Sequence, residues 1–183
     1  MCGITGAVWT DAEKSLDQDT LKRMVEVLRH RGPDDEGLLS SQFRLRPGYG
    51  TMPGVALGHR RLSIIDVAGG HQPMTNEDGS VSVVFNGEIY NYGDLRRRLE
   101  GTGHHFRTNS DTETIVHLYE DEGPRCLQHL NGMFALAVWD AGREQLLVAR
   151  DRLGQKPLVY RLEPDRLLFA SELKSLLEGA DVP

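Results

Sequence analysis

An α+β layered domain is the fold this chain predicts. Many short strand-like runs, a few amphipathic helical stretches grouped between them, and turn residues spaced throughout all point that way. At 183 residues the chain fits one domain, residues 1–183, long enough to bury a core without covalent staples. Apolar residues at 39% and charged residues at 26% are a globular rather than a disordered composition.

Residues 3–9 (GITGAVW) read as a strand, with glycines where something must approach the backbone closely. From Asp17 the period becomes helical: Leu21, Met24, Val25 and Leu28 share one face, and Gly32 occupies a C-cap position, which predicts a helix over 18–30. That helix delivers His30-Arg31-Gly32-Pro33-Asp34-Asp35 either as a plain helix stop or as a polar site. Residues 36–54 read as loop, interrupted by Pro47, Gly48, Gly50, Pro53 and Gly54. Residues 55–66 are β-like, but Arg60 and Arg61 break an apolar run. A buried guanidinium without a partner is costly, and its planar donor fork matches a carboxylate. At least one of the two should therefore meet an anion: Asp66, an acidic loop or a ligand.

Ser82–Phe85 is a strand running into Asn86-Gly87-Glu88-Ile89-Tyr90-Asn91. Asn-Gly is a hairpin signal; alternatively, the Asn86 amide and the Gly87 N–H form a pair of donors for a developing oxyanion. A short helix at 92–100 and a strand at 106–108 follow. Ser110 with Glu113 makes a capping box ahead of Ile115, Val116 and Leu118. Asp111 is then either a first-turn acid that suits the helix dipole or a binder of an ammonium group. Strands at 132–139, 145–150, 157–162 and 166–170 and a helix at 171–178 complete the chain.

Net charge of −6 and a pI near 5.6 argue against nucleic acid as a partner, and Arg96-Arg97-Arg98 reads as the wet face of a helix. Two cysteines are too few for a disulfide scaffold. With neither a signal-peptide pattern nor a membrane-length apolar run, a cytoplasmic protein with no membrane contact is expected. No GxxxxGK[ST], GxGxxG, HExxH, CxxC or GxSxG pattern occurs, so nucleotide, metal and serine-elbow chemistry are not expected.

One thiol stands apart. Cys2 directly follows Met1, and if an aminopeptidase removes Met1 the thiol and a free α-amine share one Cα. Both groups titrate within reach of neutral pH, and an N-terminal amine can act as base for such a nucleophile. The plainer alternative is a small residue packed in a strand.

Six blocks in order carry a resemblance: Cys2-Gly3-Ile4, Arg29-His30-Arg31-Gly32-Pro33-Asp34, His59 to Asp66, Phe85 to Asn91, Ser110-Asp111-Thr112-Glu113 and Arg150 to Leu158. Together they resemble the class II glutamine amidotransferase domain of glutamine-dependent asparagine synthetases, from residue 2 to about Leu177. The resemblance implies the N-terminal nucleophile hydrolase fold, a four-layer αββα sandwich of two antiparallel sheets. It implies Cys2 as nucleophile through a thioester, and Asn86 with Gly87 as oxyanion hole. Arg61 is expected on the α-carboxylate of glutamine, Glu88 with Asp111 on its α-ammonium, Leu62, Ile64 and Ile65 as backbone or wall contacts, and Arg31 in support. Implied partners are L-glutamine and a synthetase domain or subunit, with a homodimer left open. The SGG-type pyrophosphate loop of the synthetase domain lies nowhere in these residues, so no cofactor is expected here and ATP with Mg²⁺ only in such a domain. A truncated synthetase and a stand-alone ammonia donor both fit, and a non-catalytic docking or glutamine-sensing domain is the contrasting expectation.

Overall fold

Two antiparallel sheets lie face to face in the computed structural model, which describes residues 1–42, 53–63, 66 and 69–180. The first contains β1 (Gly3–Trp9), β2 (Asp35–Gln42), β3 (Gly54–Arg61), β8 (Val159–Glu163) and β9 (Arg166–Ala170) in the order β2-β3-β1-β9-β8. The second contains β4 (Met74–Thr75), β5 (Val81–Ile89), β6 (Gly132–Asp140) and β7 (Gln145–Arg150) in that order. Helices α1 (Gln18–Glu26) and α4 (Leu173–Gly179) cover the first sheet, α2 (Tyr92–Gly101) and α3 (Asp111–Glu122) the second.

Strand alternation sorts the side chains into three apolar layers. Ile4, Val55, Leu57 and Phe169 of the first sheet meet Val84, Ala135, Ala137 and Trp139 of the second. On the opposite face of the first sheet, Ala7, Trp9, Ala56 and Leu168 pack with Leu21, Met24 and Leu176 from α1 and α4. Val83, Phe85, Phe134, Leu136 and Val138 pack with Leu99, Ile115, Leu118 and Tyr119 from α2 and α3. The four-layer αββα arrangement implied by the resemblance is the one observed. Close approach sets where α1 sits: a Cβ on Gly58 would stand 2.4 Å from the Val25 Cγ2.

Several sequence-based expectations change. Regular α-helix ends at Glu26 rather than His30, and residues 28–32 tighten into i→i+3 turns. Gly32 is no left-handed cap; a Cβ there would lie 2.4 Å from the Arg60 carbonyl carbon, so glycine serves the contact. Residues 35–42, expected as loop, form β2, which pairs along β3 from Asp35 opposite Arg61 to Gln42 opposite Gly54. The turn-rich residues 43–52 lie outside the described residues. Asn86-Gly87 is no hairpin, since both sit within β5 opposite Ala135 and Phe134 of β6. Nor is 106–108 a strand: the Glu113 carboxylate accepts the Arg107 and Thr108 N–H groups, each at 2.8 Å, and so takes the donors a ladder needs. The capping box is thus half made, with Ser110 accepting from Thr112 N while Glu113 turns away. Arg96 to Arg98 do form a helix face, where Arg96 and Arg98 pair with Glu100 and Glu122.

His59 ties the sheets together behind the site. Its Nε2–H donates to the Phe85 carbonyl at 3.1 Å, and complete burial holds its pKa down near 3. Between that value and the ordinary 6.5, the unfolded chain binds a proton that the folded chain refuses, so stability falls as pH drops through this window. His59→Gln keeps a donor for Phe85 and removes the titration. Urea midpoints measured from pH 7.5 to 5 should then lose up to about 1.4 kcal/mol per pH unit of slope; an unchanged slope would assign the acid sensitivity elsewhere.

Candidate active site

Cys2 immediately precedes β1, and alternation places its side chain on the Ile4 face, between the sheets. Its Sγ lies 3.5 Å from the Leu62 N–H and 3.8 Å from the Leu62 carbonyl oxygen. Behind it, Arg31 Nε donates to the Cys2 carbonyl at 2.9 Å while Arg31 Nη1 reaches Glu172 at 2.8 Å. Burial works against the Glu172 charge, yet hydrogen bonds from Arg31 and His30 outweigh it and hold the carboxyl near 2. The first residues are therefore pinned through a charge-assisted relay from α4. Cys126, the other free cysteine, is buried in the α2/α3 core, which pushes its thiol up to about 12.

Opposite Cys2 runs the edge of β5 that faces away from β6. Both backbone groups of Phe134 bond to Asp151, so its partner Gly87 forms a non-hydrogen-bonded pair and points its own N–H away from β6. The neighbours of the same parity agree. Phe85 N–H donates to Gln72 Oε1 at 2.6 Å and Ile89 N–H to Asp111 Oδ2 at 3.0 Å. Gly87 N–H lies between these two on the same edge, beyond the end of the two-residue β4. The adjacent Asn86 Nδ2 is buried with no hydrogen-bond partner.

The two arginines that interrupt β3 go opposite ways, as alternation demands. Arg60 points to the helix side and pairs with Glu36 at 2.5 Å and Glu26 at 3.3 Å. Arg61 points between the sheets, its Nη2 donating to the Asp66 carbonyl at 2.5 Å. Gly70 is glycine because a Cβ there would lie 2.2 Å from that nitrogen. Asp66, with φ of 47°, accepts the Gly69 N–H at 2.9 Å and the Asn109 N–H at 2.7 Å, and these bonds hold its carboxyl below the ordinary range. At the first turn of α3, Asp111 is only 5% exposed, and burial raises its pKa with the Glu88 charge adding to the effect.

These groups surround one cavity of about 280 Å³, lined by Cys2, Arg61, Leu62, Asn86, Gly87, Glu88 and Asp111, together with Met1, Gly70, Gln72, Ser110, Thr112, Met133 and Lys156. Arg31 stands behind it on the Cys2 carbonyl, and Ile64 and Ile65 lie outside the described residues. Sequence reasoning named Asp66 as an anion for the β3 arginines but missed Gln72 and Glu172 as site-forming residues; nothing local in sequence marks these two, because each acts on groups distant along the chain. The Arg150 to Leu158 block is a frame. Asp151 accepts the Phe134, Leu153, Gln155 and Lys156 N–H groups and so fixes Lys156, whose Nζ lies 3.6 Å from Met1 Sδ.

Comparison with known proteins gives a consistent result. A family model described as a glutamine amidotransferase domain matches residues 1–183. The chain is 43% identical to asparagine synthetase [glutamine-hydrolyzing] 3 of Bacillus subtilis (strain 168), covering 100% of the chain and 28% of that protein. It is 38% identical to asparagine synthetase [glutamine-hydrolyzing] 2 of Arabidopsis thaliana, covering 99% of the chain and 29% of the relative. It thus spans under a third of the length of these relatives. In fold it is similar to the glutamine phosphoribosylpyrophosphate amidotransferase from B. subtilis, with a TM-score of 0.76 over 97% of this chain and 43% of that one at 24% identity. A partly buried thiol facing an unpaired amide, on two antiparallel sheets between helices and with a full-length family match, establishes that the chain belongs to the glutamine amidotransferase domain family.

Proposed function

We propose that this domain hydrolyses L-glutamine to glutamate and ammonia through a thioester on Cys2 and supplies the ammonia to an asparagine-synthetase-type amidation. The observation that carries the reading is the set of groups sharing one cavity: the Cys2 thiol, the buried and unpartnered Asn86 amide, Arg61, and the Asp111 and Glu88 carboxylates. A zwitterionic amino acid with a terminal amide needs such a layout. The Arg61 fork holds the α-carboxylate, Asp111 and Glu88 hold the α-ammonium, and the side-chain amide reaches Cys2.

In the reacting form Met1, which lines the cavity mouth, has been removed and the α-amine of Cys2 is free. Cys2 Sγ attacks the glutamine amide carbon while the α-amine takes the thiol proton. Collapse of the tetrahedral intermediate breaks the C–N bond, and the amine's proton goes to the leaving nitrogen, which departs as ammonia. Water then attacks the thioester, the amine accepts the water proton, and its return to sulfur releases glutamate. Asn86 Nδ2 and Gly87 N–H stabilise the oxyanion in both intermediates. Leaving that amide without a partner in the resting protein is a stability cost that the charged intermediate recovers.

The steps need no cofactor; ATP and Mg²⁺ belong to a synthetase domain or subunit, the proposed partner. Two free cysteines fit a reducing, cytoplasmic setting. Among the described residues no helix is long and apolar enough to cross a membrane.

Asn86→Ala should cut turnover by roughly two to three orders of magnitude with the fold intact, since one lost oxyanion donor costs about 2.7–4 kcal/mol of barrier; ammonia release measured beside a circular dichroism spectrum decides, and a fall under tenfold removes Asn86 from the role. Arg61→Lys keeps charge but loses the fork, so steady-state kinetics should show KM rising more than kcat falls. Asp111, raised above 3.8 by burial, takes up its proton in milder acid than a free aspartate. Only its carboxylate attracts the ammonium, so KM should climb as pH falls into that raised range. Asp111→Asn should raise KM at neutral pH and flatten the climb, and a mutant with the wild-type pH profile would exclude this pairing.

A further inference from the structure

Away from the cavity, on the C-terminal half of α3, three metal-ligating side chains converge that the glutaminase chemistry does not use. His117 and Glu120 lie one helical turn apart on the same face, and His104 arrives from the loop after α2. One ligand atom from each of the three lies within 4.8 Å of the others. Glu120 Oε2 sits between the rings, 2.8 Å from His117 Nδ1 and 3.8 Å from His104 Nδ1. Its other oxygen, Oε1, is occupied by Asn76 Nδ2 at 2.9 Å, which aims Oε2 at the histidines.

The outer contacts have the pattern of a ligating shell. A metal-bound histidine usually donates its far ring N–H to a carboxylate, which fixes the tautomer. His104 Nε2 lies 3.0 Å from Asp121 Oδ1; donating there leaves Nδ1 as a lone pair facing Glu120. His117 is 1% exposed, and its Nε2 has no hydrogen-bond partner although Glu113 Oε1 stands 3.7 Å away. While Nδ1–H donates to Glu120, that Nε2 is a bare acceptor facing another acceptor in the interior. A cation on Nδ1 forces the proton to Nε2 and turns the mismatch into an N–H···O⁻ contact.

We propose that His104, His117 and Glu120 bind a divalent cation of the zinc class, with Asp121 and Glu113 as the carboxylates behind the two rings. Two nitrogens and one carboxylate suit zinc over magnesium or calcium, which favour all-oxygen sites. Two tetrahedral ligands at the zinc–nitrogen distance of about 2.0–2.1 Å stand about 3.4 Å apart, so the partly exposed His104 ring swings inward by roughly an ångström. The role is structural: the cation joins the loop after α2 to α3 and, through Glu120 and Asn76, to the β4–β5 turn. The N-terminus of the same helix carries Asp111 in the cavity.

Cobalt(II) titration of the metal-free 183-residue chain at pH 8 tests this. The expected result is a one-to-one visible ligand-field spectrum lacking the near-ultraviolet charge-transfer band of a thiolate, displaced by Zn²⁺ and accompanied by a zinc-dependent rise in Tm. His104→Asn and Glu120→Gln, both partly exposed positions that leave the core intact, should each weaken Co²⁺ binding at least tenfold and abolish the Tm rise. No spectrum, a thiolate band that reports capture by Cys2, or unchanged binding in both variants would overturn the proposal.

Discussion

The site depends on one unpaired stretch of strand edge. Because β4 is only two residues long, the outer edge of β5 runs on without a strand partner for Phe85, Gly87 and Ile89. An exposed edge is a liability that proteins cover or satisfy, and here two of the three N–H groups are taken by side chains from elsewhere, Gln72 and Asp111. The middle one, the Gly87 N–H, is the donor proposed for the oxyanion. The same two side chains therefore satisfy the backbone and flank the position proposed for the oxyanion. Glycine at 87 is required from the other side, since a Cβ would lie 2.3 Å from the Met133 carbonyl oxygen.

Polar groups in the interior follow a division of labour. Those that maintain the fold are anchored by at least one partner, as with Arg60 between Glu26 and Glu36, or His59 on the Phe85 carbonyl, although Arg60 Nε and His59 Nδ1 are themselves buried without one. Asn86, which would act on substrate, keeps a buried donor unspent. An unsatisfied buried donor costs about 1–3 kcal/mol. In Asn86 that cost falls on a residue proposed to act on substrate, which is where a broken local rule is expected.

Much of this was legible in the sequence, for identifiable reasons. Strands β1, β6, β7 and β9 announced themselves through apolar runs bounded by turn residues, and α1 through its 3.6 period. The readings that failed concern backbone satisfied by distant side chains. Arg107 and Thr108 look like a strand until Glu113 takes their N–H groups. Residues 35–42 look like loop until β3 pairs with them across a turn-rich insert. For the site, residue types gave Cys2, Arg61, Asn86 and Asp111 as candidates, each with a plain alternative. The ambiguity between Arg60 and Arg61 is one that register alone resolves, because adjacent strand residues must face opposite layers. Gln72 and Glu172 left no local trace, since their meaning lies in partners 13 and 141 residues away.

The polar blocks of this chain are as much frame as site, and carboxylates show why. Asp34 accepts from Ser63 N–H, Asp66 from Gly69 and Asn109, and Asp151 from four backbone N–H groups, each closing a turn beside the cavity. An aspartate with several backbone donors is held ionised, and the Asp66 and Asp151 carboxyls are lowered accordingly, in Asp151 against the pull of burial. Asp111 is the exception. Burial outweighs the backbone N–H groups of Ile89, Thr112 and Asp111 itself, and its pKa is raised. A carboxylate that burial destabilises and that lines a cavity is one that an incoming ammonium can satisfy. Under the proposed function, that contrast, and not the mere presence of acids, separates Asp111 from the acids that shape the walls around it.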